Sequence, residues 1–475
     1  MSTSESAQQS IPEPFPKNGV IDTIIRHATV ITQNDQRTAI KDGAVAIHHG
    51  QIVSVGADTM VSGSYSAMRE IDASNKPLFP GLVNTHTHLF QSAVKGLGED
   101  LPLGDWLRQV TVPTSQAMTA DELYIFALLS CVENIRSGAT TINEFSYPLP
   151  DPDMHAAVIR AMNASGLRGR YSRGIVDGGQ EFGSSPRFIR PIEQSLAHVR
   201  QLRTEAHSQG GLIDVGVAIG IIWGMTEHGL RAIRAFANDT GAPVSMHVNE
   251  VPFDAECSIT AWGKSTVPML EYTGLLGPDF LPVHCVHMSA EDIHTFARHD
   301  VPVSYNAVSN MILGSGIPPI AEMMRAGINV CIATDGSGSN NSNDMLESLK
   351  FSALLQRAAC RNAAVVTAPT AVDWATRNGA RAMNMFDKVG SIEVGKRADM
   401  FIFDSSTAKS TPLHDPIATL VHSSSPANMH MVMVDGNVLL EDGRLTQLDE
   451  AKLIQDAQQM SAALSQRCGT HSLLR

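Results

Sequence analysis

At 475 residues the chain exceeds one typical domain, so one large domain and a smaller one are expected. A net charge of −13 argues against nucleic acid or an anionic membrane as partner, and no apolar run is long enough to span a bilayer. The six cysteines (Cys131, Cys257, Cys285, Cys331, Cys360 and Cys468) are scattered without a Cys-x-x-Cys pair, a reduced, cytoplasmic pattern rather than a disulfide framework.

Residues 1–19 read as a polar, proline-dotted tail, with neither the basic start nor the apolar centre of a signal peptide. Short strands follow at 23–26, 28–31, 44–47 and 51–55, with turns at Asp42-Gly43 and His49-Gly50. From residue 79 helical stretches (121–137, 154–164, 191–209, 229–238) alternate with apolar strands at 139–143, 170–175, 213–219, 244–248, 281–286, 301–305 and 330–334. With the strand that ends at His86 these make eight, the pattern of a (β/α)8 TIM-like barrel over 79–389. A doubly wound sheet would need a glycine-rich phosphate turn, and no G-x-G-x-x-G occurs. Beyond Gly390 strands return at 398–403, 431–434 and 438–440. They are expected to join the N-terminal strands (20–78 plus 390–445) in a small β-sandwich domain formed from both chain ends. A C-terminal helical segment at 446–475 closes the chain.

Active residues of such barrels sit at the C-terminal ends of the strands. Those ends carry His86 and His88 on the first strand, His247 on the fifth, His284 on the sixth and Asp335 on the eighth. A His-x-His pair on a strand points to one face, because the side-chain period is two. Alone it fits two half-buried histidines as well as a metal site. Five such residues in register on one rim fit a metal site far better. A metal held mainly by neutral nitrogen keeps its Lewis acidity and lowers a bound water's pKa toward about 7. Asp335 can take that water's proton, Glu250 is placed to protonate a substrate, and His284 to steady the attacking hydroxide. His287 falls an odd number of residues from His284 and faces away from it. The fourth strand, 213–219, offers neither lysine nor glutamate to bridge a second ion, so one metal is expected.

His86-Thr-His88, His247-x-x-Glu250, His284-Cys-Val-His287 and Thr334-Asp335-Gly336 together resemble the signature of the amidohydrolase superfamily. More narrowly the chain is similar to the cytosine/adenosine/guanine deaminase branch, which includes the triazine hydrolases. The likeness extends through 100–107, 309–319 and 390–399, nearly the whole chain. It implies hydrolytic attack on an amidine-like carbon of a nitrogen heterocycle, usually expelling ammonia. It implies His86, His88, His247 and Asp335 as ligands of one divalent ion, Zn2+ before Fe2+. Glu250, His284 and Asp335 are then the catalytic groups.

Departures from the family pattern bear on the substrate. Nucleoside-acting relatives carry a glutamate where Ser115 falls and a histidine near Ile219-Gly220. Gln91 is similar to a ring-contacting glutamine of base- and triazine-acting members. Gln91, Trp106, Ser115 and Asn310 are therefore the expected substrate-binding residues, with Trp223 as a second aromatic that could wall the pocket. The expected function is a mononuclear aminohydrolase of a free heterocycle (purine, pterin, pyrimidine or s-triazine). The alternatives are displacement of chloride, alkylamine or thiol from such a ring, and a nucleoside-type deaminase. A non-catalytic barrel that had lost its ligands does not fit the full set. The expected partners are the small heterocyclic substrate and water, in a homodimer or homotetramer by family habit.

Overall fold

The computed structural model describes residues 20–147, 149–208 and 210–473. The expected tail at 1–19, the last residue of the 191–209 helix and the final two residues of the C-terminal segment lie outside the described residues. Eight parallel strands form one sheet in consecutive order: Leu82–Thr87, Ala139–Phe145, Arg168–Ile175, Ile213–Ile219, Val244–Val248, Phe280–His284, Val303–Tyr305 and Val330–Ile332. The first and eighth strands close the barrel through the Asp335 N–H on the His86 carbonyl (3.1 Å) and the Thr334 N–H on Asn84 Oδ1 (3.1 Å). Helices Ala120–Arg136, Pro152–Ser165, Ile192–Ser208 and Glu227–Thr240 follow the first four strands. Each of these strands is buried on both faces, as an all-parallel sheet covered by helices must be.

Two strands, the sixth and the eighth, end earlier than their apolar runs suggest. His284, Cys285 and Asp335 have φ of 71°, 51° and 63°, left-handed values rarely taken by residues other than glycine. The ladder breaks there, and the side chains that follow turn into the barrel mouth. Hydrophobicity alone extends a strand through such a break.

The two chain ends build one hydrogen-bonded sheet of nine strands. Its seam is Pro77–Pro80 against Met400–Phe403, in the register Leu78 to Ile402 and Pro80 to Met400. Ile25, Val30, Val45, Ile47, Leu78, Met400, Ile402, Met431 and Met433 meet in one apolar cluster, so strands from both ends share a core. Strand Ser66–Asp72, parallel to Val20–Ile31, carries no sequence signal: of its seven side chains only Ile71 is buried. Barrel and sheet are joined by Arg168, at the start of the third barrel strand. Its guanidinium reaches Asp399 (2.7 and 3.0 Å) and Asp435 (2.7 Å). Helix Glu450–Cys468 lies against Ala120–Arg136, tied by Arg136 to Glu450 and by Arg467 to Glu122. Among the described residues no helix is long and apolar enough to cross a membrane.

Candidate active site

The first barrel strand carries a bulge. Asn84 pairs with Ile142, but the next pair is Thr87 with Glu144, three residues against two. Such an insertion re-aims side chains at a barrel rim. His86 and His88 emerge there, rings 4.6 Å apart and nearly perpendicular. His88 Nδ1 donates to the Phe145 carbonyl (2.6 Å) and His247 Nδ1 to the Gly220 carbonyl (2.7 Å). A carbonyl can only accept, so each Nδ1 holds the ring proton and each Nε2 presents a lone pair.

Those two Nε2 atoms face one another at 3.3 Å, and His88 Nε2 lies 3.3 Å from Asp335 Oδ1. His86 Nε2 is 3.1 Å from the same oxygen. Electron pairs from two imidazoles and a carboxylate thus converge where neither His88 nor His247 has a proton to share. A cation resolves that repulsion, and backbone-anchored imidazoles are how metal sites fix their ligands. The ligand atoms of His86, His88 and His247 lie within 4.8 Å of one another, as do those of His86, His284 and Asp335.

Electrostatics agree. Burial pushes His86 down to about 4 and His88 to about 3, and holds His247 well below the usual range, so all three are neutral at pH 7. Burial opposes the charge on Asp335, but its hydrogen bond with His86 and the surrounding imidazoles hold its carboxyl well below the usual range. Its second oxygen accepts the hydroxyls of Ser309 (2.5 Å) and Ser339 (3.0 Å). Glu250 is the opposite case. Burial, with the Asp335 charge adding to it, raises its carboxyl to about 7. Glu250 Oε1 accepts the Ser315 hydroxyl (3.2 Å), and Oε2 is 3.4 Å from His284 Nε2. The site therefore holds one ionised and one protonatable carboxyl, with His284 beside the second.

The expected substrate contacts fall in different places. Gln91 is buried, its Oε1 taken by the N–H groups of Gly338 (3.2 Å) and Ser339 (3.3 Å), and its Nε2 3.5 Å from the Tyr147 hydroxyl. Trp106 packs in the core, with its indole N–H on the Leu97 carbonyl. Ser115 gives its hydroxyl to the Val112 carbonyl of its own helix. Asn310 is beside the site, with Oδ1 2.9 Å from His284 Nδ1. His287 is bound to the Ser315 carbonyl. Sequence reasoning missed Ser309, Ser315, Ser339 and Tyr147. The first two stand within the 309–319 motif, where proximity to Asn310 was a signal. Tyr147, its ring edge-on to His88 at 4.9 Å, follows the second strand and carried none.

With this geometry in place, residues 78–439 match the model of the amidohydrolase family. The chain belongs to that family. A 5'-deoxyadenosine deaminase of Methanosarcina barkeri is 32% identical over 452 residues, spanning 94% of this chain and 99% of its own. A 5-methylthioadenosine/S-adenosylhomocysteine deaminase of Nitratidesulfovibrio vulgaris is 33% identical over 436 residues, 92% of this chain and 95% of its own. Among solved structures, an adenosine deaminase from Xanthomonas campestris with bound zinc superposes with a TM-score of 0.88 at 27% identity, covering 94% of this chain and all of that one. Atrazine chlorohydrolase from Arthrobacter aurescens, complexed with zinc, gives 0.86 at 25% identity over 92% of this chain and all of its own. This amidohydrolase is an enzyme of the hydrolase class, with deaminases among its full-length relatives.

Proposed function

We propose that this amidohydrolase removes the amino group of an adenine-type ring by hydrolysis, with His86, His88, His247 and Asp335 holding one divalent ion, zinc as in the solved relatives. Bound there, such an ion supplies the Lewis acidity that makes water nucleophilic near neutral pH. The remaining work belongs to side chains. Asp335, kept ionised, accepts the proton of the attacking water and passes it to the departing amino group. Glu250, raised to about 7 by burial, still carries a proton near neutrality and gives it to a ring nitrogen. His284 orients the water from beside Glu250, its ring held by Asn310. The observation that carries the reading is this pair of buried carboxyls driven to opposite protonation states around one imidazole cluster.

The full-length relatives favour an adenine on a 5'-altered ribose. Ser115 and Gly220, where nucleoside-acting relatives carry other residues, favour the free ring. The test is ammonia release by the metal-replete protein from adenine, 5'-deoxyadenosine, 5'-methylthioadenosine, pterins, and aminated and chlorinated triazines. Ammonia from an adenine-type compound supports the proposal and identifies the carrier. Chloride from a chlorotriazine, with no ammonia from any compound, contradicts it.

A further inference from the structure

One buried carboxylate beside the site has no part in the chemistry above. Asp254 lies in the first turn of helix Pro252–Trp262 and is 4% exposed. Its Oδ2 accepts the backbone N–H groups of Glu250 (3.0 Å) and Val251 (3.4 Å). Its Oδ1 accepts the indole N–H of Trp223 (3.3 Å), from the loop after the fourth strand. Capping the helix requires only the Val251 contact. The other two reach back to the backbone of Glu250 and across to another loop.

The turn so held is fixed from both sides. Asn249, just before Glu250, has φ of 47°, in the left-handed region that asparagine enters more readily than most side chains. On one side the Asn249 carbonyl accepts the N–H groups of Val286 (3.1 Å) and His287 (2.9 Å). On the other side stands Asp254. Between them the Glu250 carboxyl is aimed at His284 and Ser315.

We infer that Asp254 is a positioning residue for the aminohydrolase reaction: its carboxylate clamps the Glu250 backbone and the Trp223 indole, and so sets the direction of the acid. The inference rests on the function proposed above. Asp254→Asn exposes the clamp, because an amide has a single acceptor oxygen. When that oxygen takes the two backbone N–H groups, the amide nitrogen confronts the indole N–H, donor against donor. Asp254→Asn is expected to lower kcat about 30-fold per metal-loaded site, the scale of a small misplacement of a catalytic group, with KM nearly unchanged. Adding Trp223→Phe removes the opposing donor, and the double variant should return to the kcat of Trp223→Phe alone.

The experiment measures kcat, KM, bound metal and thermal midpoint for wild type, Asp254→Asn, Trp223→Phe and the double variant, on the substrate identified by the ammonia panel. A kcat loss rescued in the double variant supports the inference. A lower thermal midpoint with wild-type kcat per metal-loaded site overturns it, leaving Asp254 as a helix cap. A kcat loss that Trp223→Phe deepens also overturns it. Wild type silent on every adenine-type compound overturns the function and this role together, whereas active wild type with unchanged Asp254→Asn overturns this role alone.

Discussion

The barrel buries charge at both ends and treats it in opposite ways. At the N-terminal end Arg168 is paired with carboxylates: Asp399 takes two of its N–H groups, Asp435 a third, and Arg397 also binds Asp435. Even the backbone N–H of Asp435 is directed at Asp399 (2.9 Å). At the C-terminal end, Asp335 and Glu250 have only histidines as ion-pair partners among the described residues. There, lone pairs face one another at 3.3 Å. Paired opposite charges join barrel and terminal sheet, whereas a cluster whose lone pairs face one another is costly to bury unless it binds a cation.

The comparison can be broken from either end. Asp335→Asn removes both a candidate ligand and the proton acceptor, and ammonia release should fall at least about a thousandfold. The chain should stay folded, which circular dichroism checks. Glu250→Gln keeps the shape and removes the proton. kcat should fall about a hundredfold, with bound metal unchanged by elemental analysis. In wild type the acid must be protonated to act, so activity should decline as pH rises through about 7, where burial has placed Glu250.

At the other end Arg168→Ala leaves Asp399 buried without its cation and should cost about 3–5 kcal/mol of stability by denaturant unfolding. Activity per folded molecule should be unchanged.

A pH-dependent effect concerns Glu144, buried on the second barrel strand with the Leu89 N–H on its carboxyl, and pushed up to about 8 by burial. Between its ordinary value and about 8, the unfolded chain has released a proton that the folded chain keeps. Stability therefore declines as pH rises through that window, at up to about 1.4 kcal/mol per pH unit from this one group. Glu144→Gln should flatten that slope in thermal scans from pH 5 to 8.

The two ends were not equally legible in the sequence. His86, His88, His247, His284 and Asp335 could be placed because strand ends and a side-chain period of two fix which face a residue takes. The barrel follows from strands alternating with helices, and the shared terminal sheet from strands that return after residue 390. Arg168, Asp399 and Asp435 gave no signal, since nothing local says that a charge at residue 168 meets one at 399. Substrate contacts were hardest. Gln91 has the right chemistry for a ring edge, yet its amide oxygen holds the turn at Gly338 and Ser339. Trp106 and Ser115 are likewise engaged by backbone carbonyls. Partners distant in sequence meet through three-dimensional proximity, and Tyr147, from a loop, and Asp254, from a helix start, reach the site that way.

The most direct test strips the protein of metal and titrates zinc back while heat of binding and ammonia release are followed together. If the facing lone pairs are a single cation site, binding should saturate at one ion per chain. Activity should rise in step with it from zero. Full turnover by the stripped protein, or activity that requires a second equivalent, would contradict that account.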